Sequence, residues 1–417
     1  MSAGLLAAEI AISGGGPAGM AAAAVLAAAG REVLLVDPAP PVTGEDAAGA
    51  DRRTTAFLQP ARALLEAAGL WERLAPHAAP LRVMRIVEAA ADGAGPALVR
   101  DFVSDEISDE PFGWNVPNWL LRREMAARLA EMQGVRFLSG VGTRSVLTRT
   151  GAALVGLTDG RRIEAGLLVA ADGRDSPVRA AVGIGVRRLS YGQKALAFAV
   201  THPIPHEGVS TEIHAAGGPF TLVPLPDREG RPCSAVVWMD AGPEVLRRAA
   251  LPAEAFEAEA SARSGHLFGP LALAGPRQVW PIVSQWAARM TAERVALVAE
   301  AAHVVPPIGA QGLNMSLADV AALARLIAGA ADPGAPAVLD AYHRARHAEV
   351  CARVAGIDLL NRAAIAGSRP ARDLRAAGLR ALHGARPLRH AVMRAGLGAG
   401  VGPGAAADQA ATTQGEG

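Results

Sequence analysis

Residues 9–37, EIAISGGGPAGMAAAAVLAAAGREVLLVD, constrain this chain more than any other stretch. Residues 9–13 read as a short buried strand and an Ala-rich helix runs to about Ala29. Gly30 stops that helix, and residues 31–36 read as a second strand closing on Asp37. Between strand and helix, Gly14, Gly16 and Gly19 keep the G-x-G-x-x-G spacing, with Pro17 and Ala18 completing the turn. Gly14 permits the tight turn, Gly16 lets the backbone approach a pyrophosphate, and Gly19 lets helix and strand pack closely. The helix start offers free N–H groups and the positive end of the helix dipole to phosphates. Asp37 stands roughly twenty residues on, where an acid accepts hydrogen bonds from ribose hydroxyls. The glycines alone would also suit a structural turn. Strand, helix and acid together point to a dinucleotide.

Composition narrows the partners. A chain of 417 residues has room for two or three domains and an ample core. Its formal net charge of +1 gives no global attraction to nucleic acid, which is not expected as a partner. Cys233 and Cys351 are the only cysteines and form no CxxC or Cys/His cluster. A disulfide framework, a thiol redox pair and a metal site are therefore not expected. They read as ordinary thiols in a reducing cytosol. The N-terminus carries no basic and apolar leader with a cleavage site, and the apolar run 20–29 is too short to span a bilayer. A soluble, cytoplasmic protein is expected.

Further along, residues 60–70 have helical spacing with Gly69 as the stop. Residues 82–90 and 97–103 read as strands around a turn at Asp92-Gly93, 122–132 as a helix, and 135–138, 153–158 and 161–163 as strands. Residues 167–171 form a continuous apolar run, as in a buried parallel strand. From Ala195 to Asp240 strand-like runs alternate with Pro/Gly turns and no long helix intervenes, which predicts an inserted antiparallel sheet. Residues 244–264 read as one helix, 279–283 and 295–299 as strands, and 313–328 and 338–361 as helices. The acidic run at Asp105, Glu106, Asp109 and Glu110 reads as a solvated loop. Residues 398–417 read as a disordered tail.

Two more segments suit the same cofactor. In LLVAADGRDSPVR, residues 167–179, a buried strand ends in Asp172-Gly173, with Ser176 and Arg179 following. In VALVAEAAHVVPPIGAQGLNMSLADV, residues 295–320, a strand ends at Glu300 and a Pro/Gly loop leads into a helix near Leu313, whose N-terminus can face an anion or an electron-rich ring edge. The basic loop at Arg52, Arg53 and Thr54 reads equally as a cofactor contact or a solvated turn.

These three fingerprints, in this order, resemble the group A flavoprotein monooxygenases of the p-hydroxybenzoate hydroxylase fold. YGQKALAFAV (191–200), GGPFTLVPLP (217–226), AQGLNMSLAD (310–319) and AYHRARHAEV (341–350) are similar to the ubiquinone-biosynthesis ring hydroxylases of the UbiH/UbiF type. The resemblance covers roughly residues 8–398. It implies an α/β fold: a Rossmann-like FAD-binding domain with an inserted antiparallel-sheet substrate domain and C-terminal helices. The expected division gives residues 1–75, 111–185 and 277–345 to the FAD domain, 76–110 and 186–276 to the substrate domain, and 346–397 to the helical region.

The resemblance also implies the site. Gly14, Gly16, Pro17, Ala18 and Gly19 would hold the FAD pyrophosphate, and Asp37 the adenosine ribose. Arg52 and Arg123 would contact FAD, the latter from a helix start. Asp172 and Gly173 match a segment tied to both FAD and NAD(P)H. Glu300 would contact the ribityl chain, and Pro307, Gly312, Leu313 and Asn314 would line the isoalloxazine side. Where relatives read Gly-Asp-Ala-Ala-His, this chain reads Ala299-Glu300-Ala301-Ala302-His303, and Ala310 and Ser316 also replace glycines. A Cβ at position 310 matters if the backbone there needs positive φ. His303 is a candidate base, set against a structural or solvent-relay place. His303, Asp319 and His343 look too scattered for a metal site.

The implied reaction hydroxylates the ring of a polyprenyl phenol through a flavin C4a-hydroperoxide, with NAD(P)H and dioxygen as co-substrates. A related hydroxylase on another aromatic, or a weakly flavinylated, non-catalytic member of a quinone-biosynthesis complex, are the alternatives. Arginines among leucines from Arg372 to Leu397 suit either an anionic inner-membrane surface or a partner-docking cap.

Overall fold

A computed structural model of the chain describes residues 4–89, 96–215, 217–366 and 368–398. An eight-stranded sheet carries the dinucleotide segment. Its central strand, Leu5–Ser13, pairs in parallel with Arg162–Ala170 on one side and Val33–Asp37 on the other, and Val135–Ser139 pairs beyond that. The inner strands are rich in Val, Ile and Leu because they are buried on both faces and have no polar side. Helix Pro17–Ala28 lies against them through Met20–Ala24, nearly all alanine and wholly buried, so its axis comes close to the sheet.

Three expectations change here. The first strand begins at Leu5, not Glu9. Residues 161–163 and 167–171 are one strand, Arg162–Ala170, not two. Gly166 lies within that strand, where a Cβ would meet the Glu9 carbonyl at 3.0 Å. Strand Thr143–Thr148 pairs with Ala153–Leu157 and was not expected, since its half-exposed polar residues give no apolar run.

The second sheet has nine strands in the order His303–Val304, Gln278–Ala287, Val186–Thr201, Arg231–Ala241, Gly218–Arg228, Val209–Ala215, Val83–Ala89 and Pro96–Val103, with Ala272–Leu273 beside Val186–Thr201. Pairing is antiparallel except where Val209–Ala215 runs parallel to Val83–Ala89. The turn expected at Asp92-Gly93 lies outside the described residues. Gln278–Ala287 is hydrogen-bonded into this sheet, although residue 277 was the expected return to the nucleotide domain. Phe198, Phe220 and Trp238 on one face pack with Phe256 under helices Gly242–Ala249 and Ala253–Arg263. The single helix expected over 244–264 is two, because Pro252 lacks an N–H and restricts Leu251 before it. A small sheet of Thr54–Leu58, Gly113–Pro117 and Ala79–Leu81 sits beside the other face.

Helices Gln311–Ile327, Pro336–Ile365, Arg369–Gly384 and Arg386–Leu397 complete the fold. The last two pack Leu379, Met393 and Leu397 against Leu98, Phe102 and Phe112. Arg375 makes a two-pronged ion pair with buried Glu88 at 2.6 and 2.7 Å, and Arg389 pairs with Glu106. The acidic run is thus not simply solvated: Glu106 binds Arg389 and His390, and Glu110 binds Arg62. Of the expected tail only Gly398 is described, in the left-handed conformation that ends the last helix.

Candidate functional site

The glycine turn is built by close approach. Gly14 has φ +107, and an added Cβ there would meet the Ala171 carbonyl oxygen at 2.3 Å. A Cβ at Gly19 would fall 1.8 Å from the Gly14 oxygen, so helix and strand can meet only at a glycine. At Gly16 nothing lies within 4 Å of an added Cβ. Gly16 is also the N-cap of helix Pro17–Ala28 and makes no side-chain cap, leaving the first N–H groups for an anion. Asp37 is fixed in place: its carboxylate accepts from Gly15 N–H at 2.6 Å and Ala39 N–H at 2.8 Å.

Ser176 caps helix Pro177–Ala181, accepting from Arg179 N–H at 3.0 Å, and Asp172 braces that cap. Asp172 accepts from Ser176 Oγ at 2.5 Å and Val178 N–H at 3.0 Å, and burial pushes its carboxyl up despite those bonds. Arg179, buried, donates to the carbonyls of Ala301 and Arg174 at 2.9 Å each, tying the Asp172-Gly173 turn to the turn that carries Glu300. Glu300 lies 3.4 Å from Arg174 Nε. Burial alone would lower the Arg53 guanidinium, but Asp51, bonded at 2.7 and 2.8 Å, and the nearby Glu300 charge hold it above its usual value. Asn118 steadies Asp51 with a hydrogen bond of 3.0 Å.

The departures noticed in sequence lie at the Glu300 turn, at the N-cap of helix Gln311–Ile327 and, for Ser316, inside that helix. Ala299 and Ala310 both have φ +56, the left-handed region that favours glycine. Pro307 and Gly312 are exposed, Leu313 is half-buried in the first turn, and a Cβ on Gly312 would meet nothing within 4 Å. Asn314 acts as an extra rung for strand Thr54–Leu58: it accepts from Leu58 N–H at 2.9 Å and donates to the Ala56 carbonyl at 2.7 Å. His303 does not face an open site. It is 2 % exposed and bonds Asp319 at 2.6 Å, so these two residues are neighbours rather than scattered.

Arg52 and Arg123 stand apart from this convergence. Arg52 turns to Asp46 at 3.2 Å, and it is the adjacent Arg53 that stacks over Trp280, 3.8 Å from the ring centroid. Arg123 lies in the second turn of helix Asn118–Glu131, not at its start, bonded to Glu124 and over Trp119. Asp51, Asn118, Gln278 and Trp280 were missed. They carry no motif, and only the pairing of distant strands brings them to the loop 50–53.

The face of the nine-stranded sheet opposite Phe198 and Trp238 looks toward that loop. Register sets two rows across it. One runs Glu88, His214, Pro219, Met239, Ala195, Trp280; the next runs Ile86, Glu212, Thr221, Val237, Ala197, Gln278. Both rows end beneath loop 50–53: Gln278 bonds the Ala50 carbonyl and the Arg52 N–H, and Trp280 lies under Arg53. Their other ends lie under helix Arg369–Gly384, which holds Glu88 through Arg375. Between the ends the rows are small or apolar except for Glu212, His214 and Thr221. An open cleft lined by Ile184, Arg289, Glu293 and Asp340 contains none of the expected site residues.

The residues present fit FAD. Gly16 leaves room for a pyrophosphate at an uncapped helix start, and Gly312 leaves room at the start of a second helix. The family model described as FAD binding domain matches residues 7–356. Ubiquinone hydroxylase UbiL of Rhodospirillum rubrum is 34% identical over 94% of this chain and 90% of its own. Ubiquinone hydroxylase UbiM of Neisseria meningitidis is 26% identical over 93% of this chain and 84% of its own. The crystal structure of p-nitrophenol 4-monooxygenase PnpA from Pseudomonas putida superposes with a TM-score of 0.76 at 18% identity, covering 94% of this chain and 98% of that one. The fold is thus that of FAD-dependent aromatic hydroxylases, and the chain belongs to the FAD-binding domain family of flavoprotein monooxygenases.

Proposed function

We propose that this monooxygenase hydroxylates the aromatic ring of a polyprenyl phenol in ubiquinone biosynthesis, using NAD(P)H and dioxygen. The observation that carries the reading is the sheet face of Ala195, Ala197, Val237 and Met239 set between Trp280 and the C-terminal helices. A flat apolar ring with a prenyl tail suits such a surface, and the likeness to ubiquinone hydroxylases supports that substrate class. Gly14–Gly19 and Asp37 hold the adenine side of FAD. Asp172, Gly173, Glu300, Pro307, Gly312, Leu313 and Asn314 border the flavin side. When bound, FAD supplies the electron transfer from NAD(P)H to dioxygen that ring hydroxylation needs. The protein's own part is to seat the ring, exclude water and keep the loop 306–310 able to move.

A peripheral membrane position fits the surface. Leu359, Leu360, Leu374, Leu388 and Val392 on the last three helices are exposed. Among the described residues, no helix is long and apolar enough to cross a membrane. The left-handed Ala299 and Ala310 favour one second reading, a weakly flavinylated member of a quinone-synthesis complex. Purified protein separates the two. A yellow protein whose NAD(P)H oxidation accelerates with an alkylated phenol supports the hydroxylase. A protein that stays colourless with excess FAD refutes it.

A further inference from the structure

The middle of the sheet face described above carries one ionisable pair. Strand Val209–Ala215 alternates, so Glu212 and His214 project to the same side, in adjacent rows. His214 Nε2 and Glu212 Oε1 lie 2.8 Å apart. His214 is 8 % exposed, and its other ring nitrogen, Nδ1, is buried with no hydrogen-bond partner. Gln193 Nε2 and Asn361 Oδ1, on the same face where helix Pro336–Ile365 covers it, are likewise buried and unpartnered. Trp280 Nε1, in the same row as His214, is also buried and unpartnered. Buried polar atoms are normally satisfied, and four left open on one face call for a polar ligand lying against it.

We infer that His214 takes the proton of the substrate's phenolic hydroxyl and that Glu212 positions it; this rests on the hydroxylase reading. In the neutral tautomer with its hydrogen on Nε2 toward Glu212, the unpartnered Nδ1 has a lone pair to accept the proton. The phenol O–H bond breaks, its electron pair stays on oxygen, and the proton forms a bond to Nδ1. The imidazolium that results faces the Glu212 carboxylate, so the pair ends neutral. The ring left behind is a phenolate, richer in electrons at the carbon to be oxygenated. Burial alone would raise the Glu212 carboxyl, but the His214 contact holds it below its usual value. Other charged groups on this face are Glu88, one strand over and paired with Arg375, and Arg100, two strands over opposite Ile86. The partners on the other side, Pro219 and Thr221, are uncharged.

The test uses the FAD-loaded enzyme without NAD(P)H and para-nitrophenol, whose absorbance reports its ionisation. At a pH about one unit below the probe's own pKa, the wild type should bind it mainly as phenolate. His214→Gln and Glu212→Gln should each lower the bound phenolate-to-phenol ratio by roughly tenfold, one pKa unit, while binding nitrobenzene, which cannot ionise, as the wild type does. Retained FAD and an unchanged melting temperature show that a variant is folded, and Glu212→Gln keeps the shape of the pair. Bound probe that stays neutral in the wild type, or ionises equally in both variants, overturns the inference. A protein whose NAD(P)H oxidation no phenol stimulates overturns the hydroxylase reading instead.

Discussion

His303 and Asp319 stand sixteen residues apart and meet at 2.6 Å in the interior. Asp319 also accepts from Ala299 N–H at 3.1 Å and from Arg346 Nε at 2.9 Å. From there the chain of contacts runs through Glu349 and Arg353 to Gln311, whose amide bonds the carbonyls of Gly309 and Gly396. One buried network therefore joins the Glu300 turn, the glycine loop and the last helix. Asp319 is its hub, so Asp319→Asn leaves Arg346, 1 % exposed, with only the partly exposed Glu349 as countercharge and removes the carboxylate facing His303. We predict a loss of about 3–5 kcal/mol in urea unfolding.

The same hub sets an acid limit. Burial pushes the Asp319 carboxyl up, but the His303 and Arg346 contacts outweigh it and leave it below 3.8. A carboxyl lowered in the folded state adds stability above its unfolded value and loses it as pH falls through the folded one. Unfolding free energy measured against pH should therefore fall below pH 3.8 more steeply in the wild type than in Asp319→Asn. Parallel curves contradict this.

Ala299 and Ala310 carry strain that their sequence position alone left conditional. Each sits at φ +56, where an L side chain costs about 1–2 kcal/mol. Glycine removes that cost and adds a smaller one in the unfolded chain. Ala299→Gly and Ala310→Gly should each stabilise by about 0.5–1 kcal/mol in thermal melts. A destabilising outcome at both would contradict the backbone described.

Gly16 and Gly19 separate binding from folding. A side chain at Gly16 meets no protein atom, whereas one at Gly19 runs into the Gly14 carbonyl. Gly16→Val should fold with an unchanged apoprotein melting temperature and bind FAD about 10–100-fold more weakly, 1.4–2.8 kcal/mol. Gly19→Val should fail at folding itself. Equal effects of the two on melting would remove the pyrophosphate from Gly16.

Exposed leucines test the membrane proposal. Leu374 and Leu388 lie on the last two helices, and each side chain buried in lipid contributes about 1.5–3 kcal/mol. Leu374→Glu with Leu388→Glu should abolish flotation with anionic liposomes while phenol-stimulated NAD(P)H oxidation in detergent persists. Full flotation of the double variant would count against this surface.

What could be read from the sequence follows chain-local physics. The glycine turn, Asp37 and the antiparallel texture from Ala195 to Asp240 are set by spacing within one or two elements. The His303–Asp319 contact was not legible, because it depends on how helix Gln311–Ile327 lies under the Glu300 turn. Which of Arg52 and Arg53 faces Trp280 was not legible for a related reason: it depends on a strand more than two hundred residues away. The Glu212–His214 pair alternates visibly in sequence, but its face has meaning only once six strands are in register.

Ring oxygenation is the central claim, and the source of the oxygen tests it most directly. Enzyme loaded with FAD is given NAD(P)H, an alkylated phenol and isotopically heavy dioxygen, and the product is weighed by mass spectrometry. The account predicts a ring hydroxylated once, carrying one heavy oxygen from dioxygen and none from water. NAD(P)H consumed with hydrogen peroxide as the only product, for every phenol tried, would contradict it.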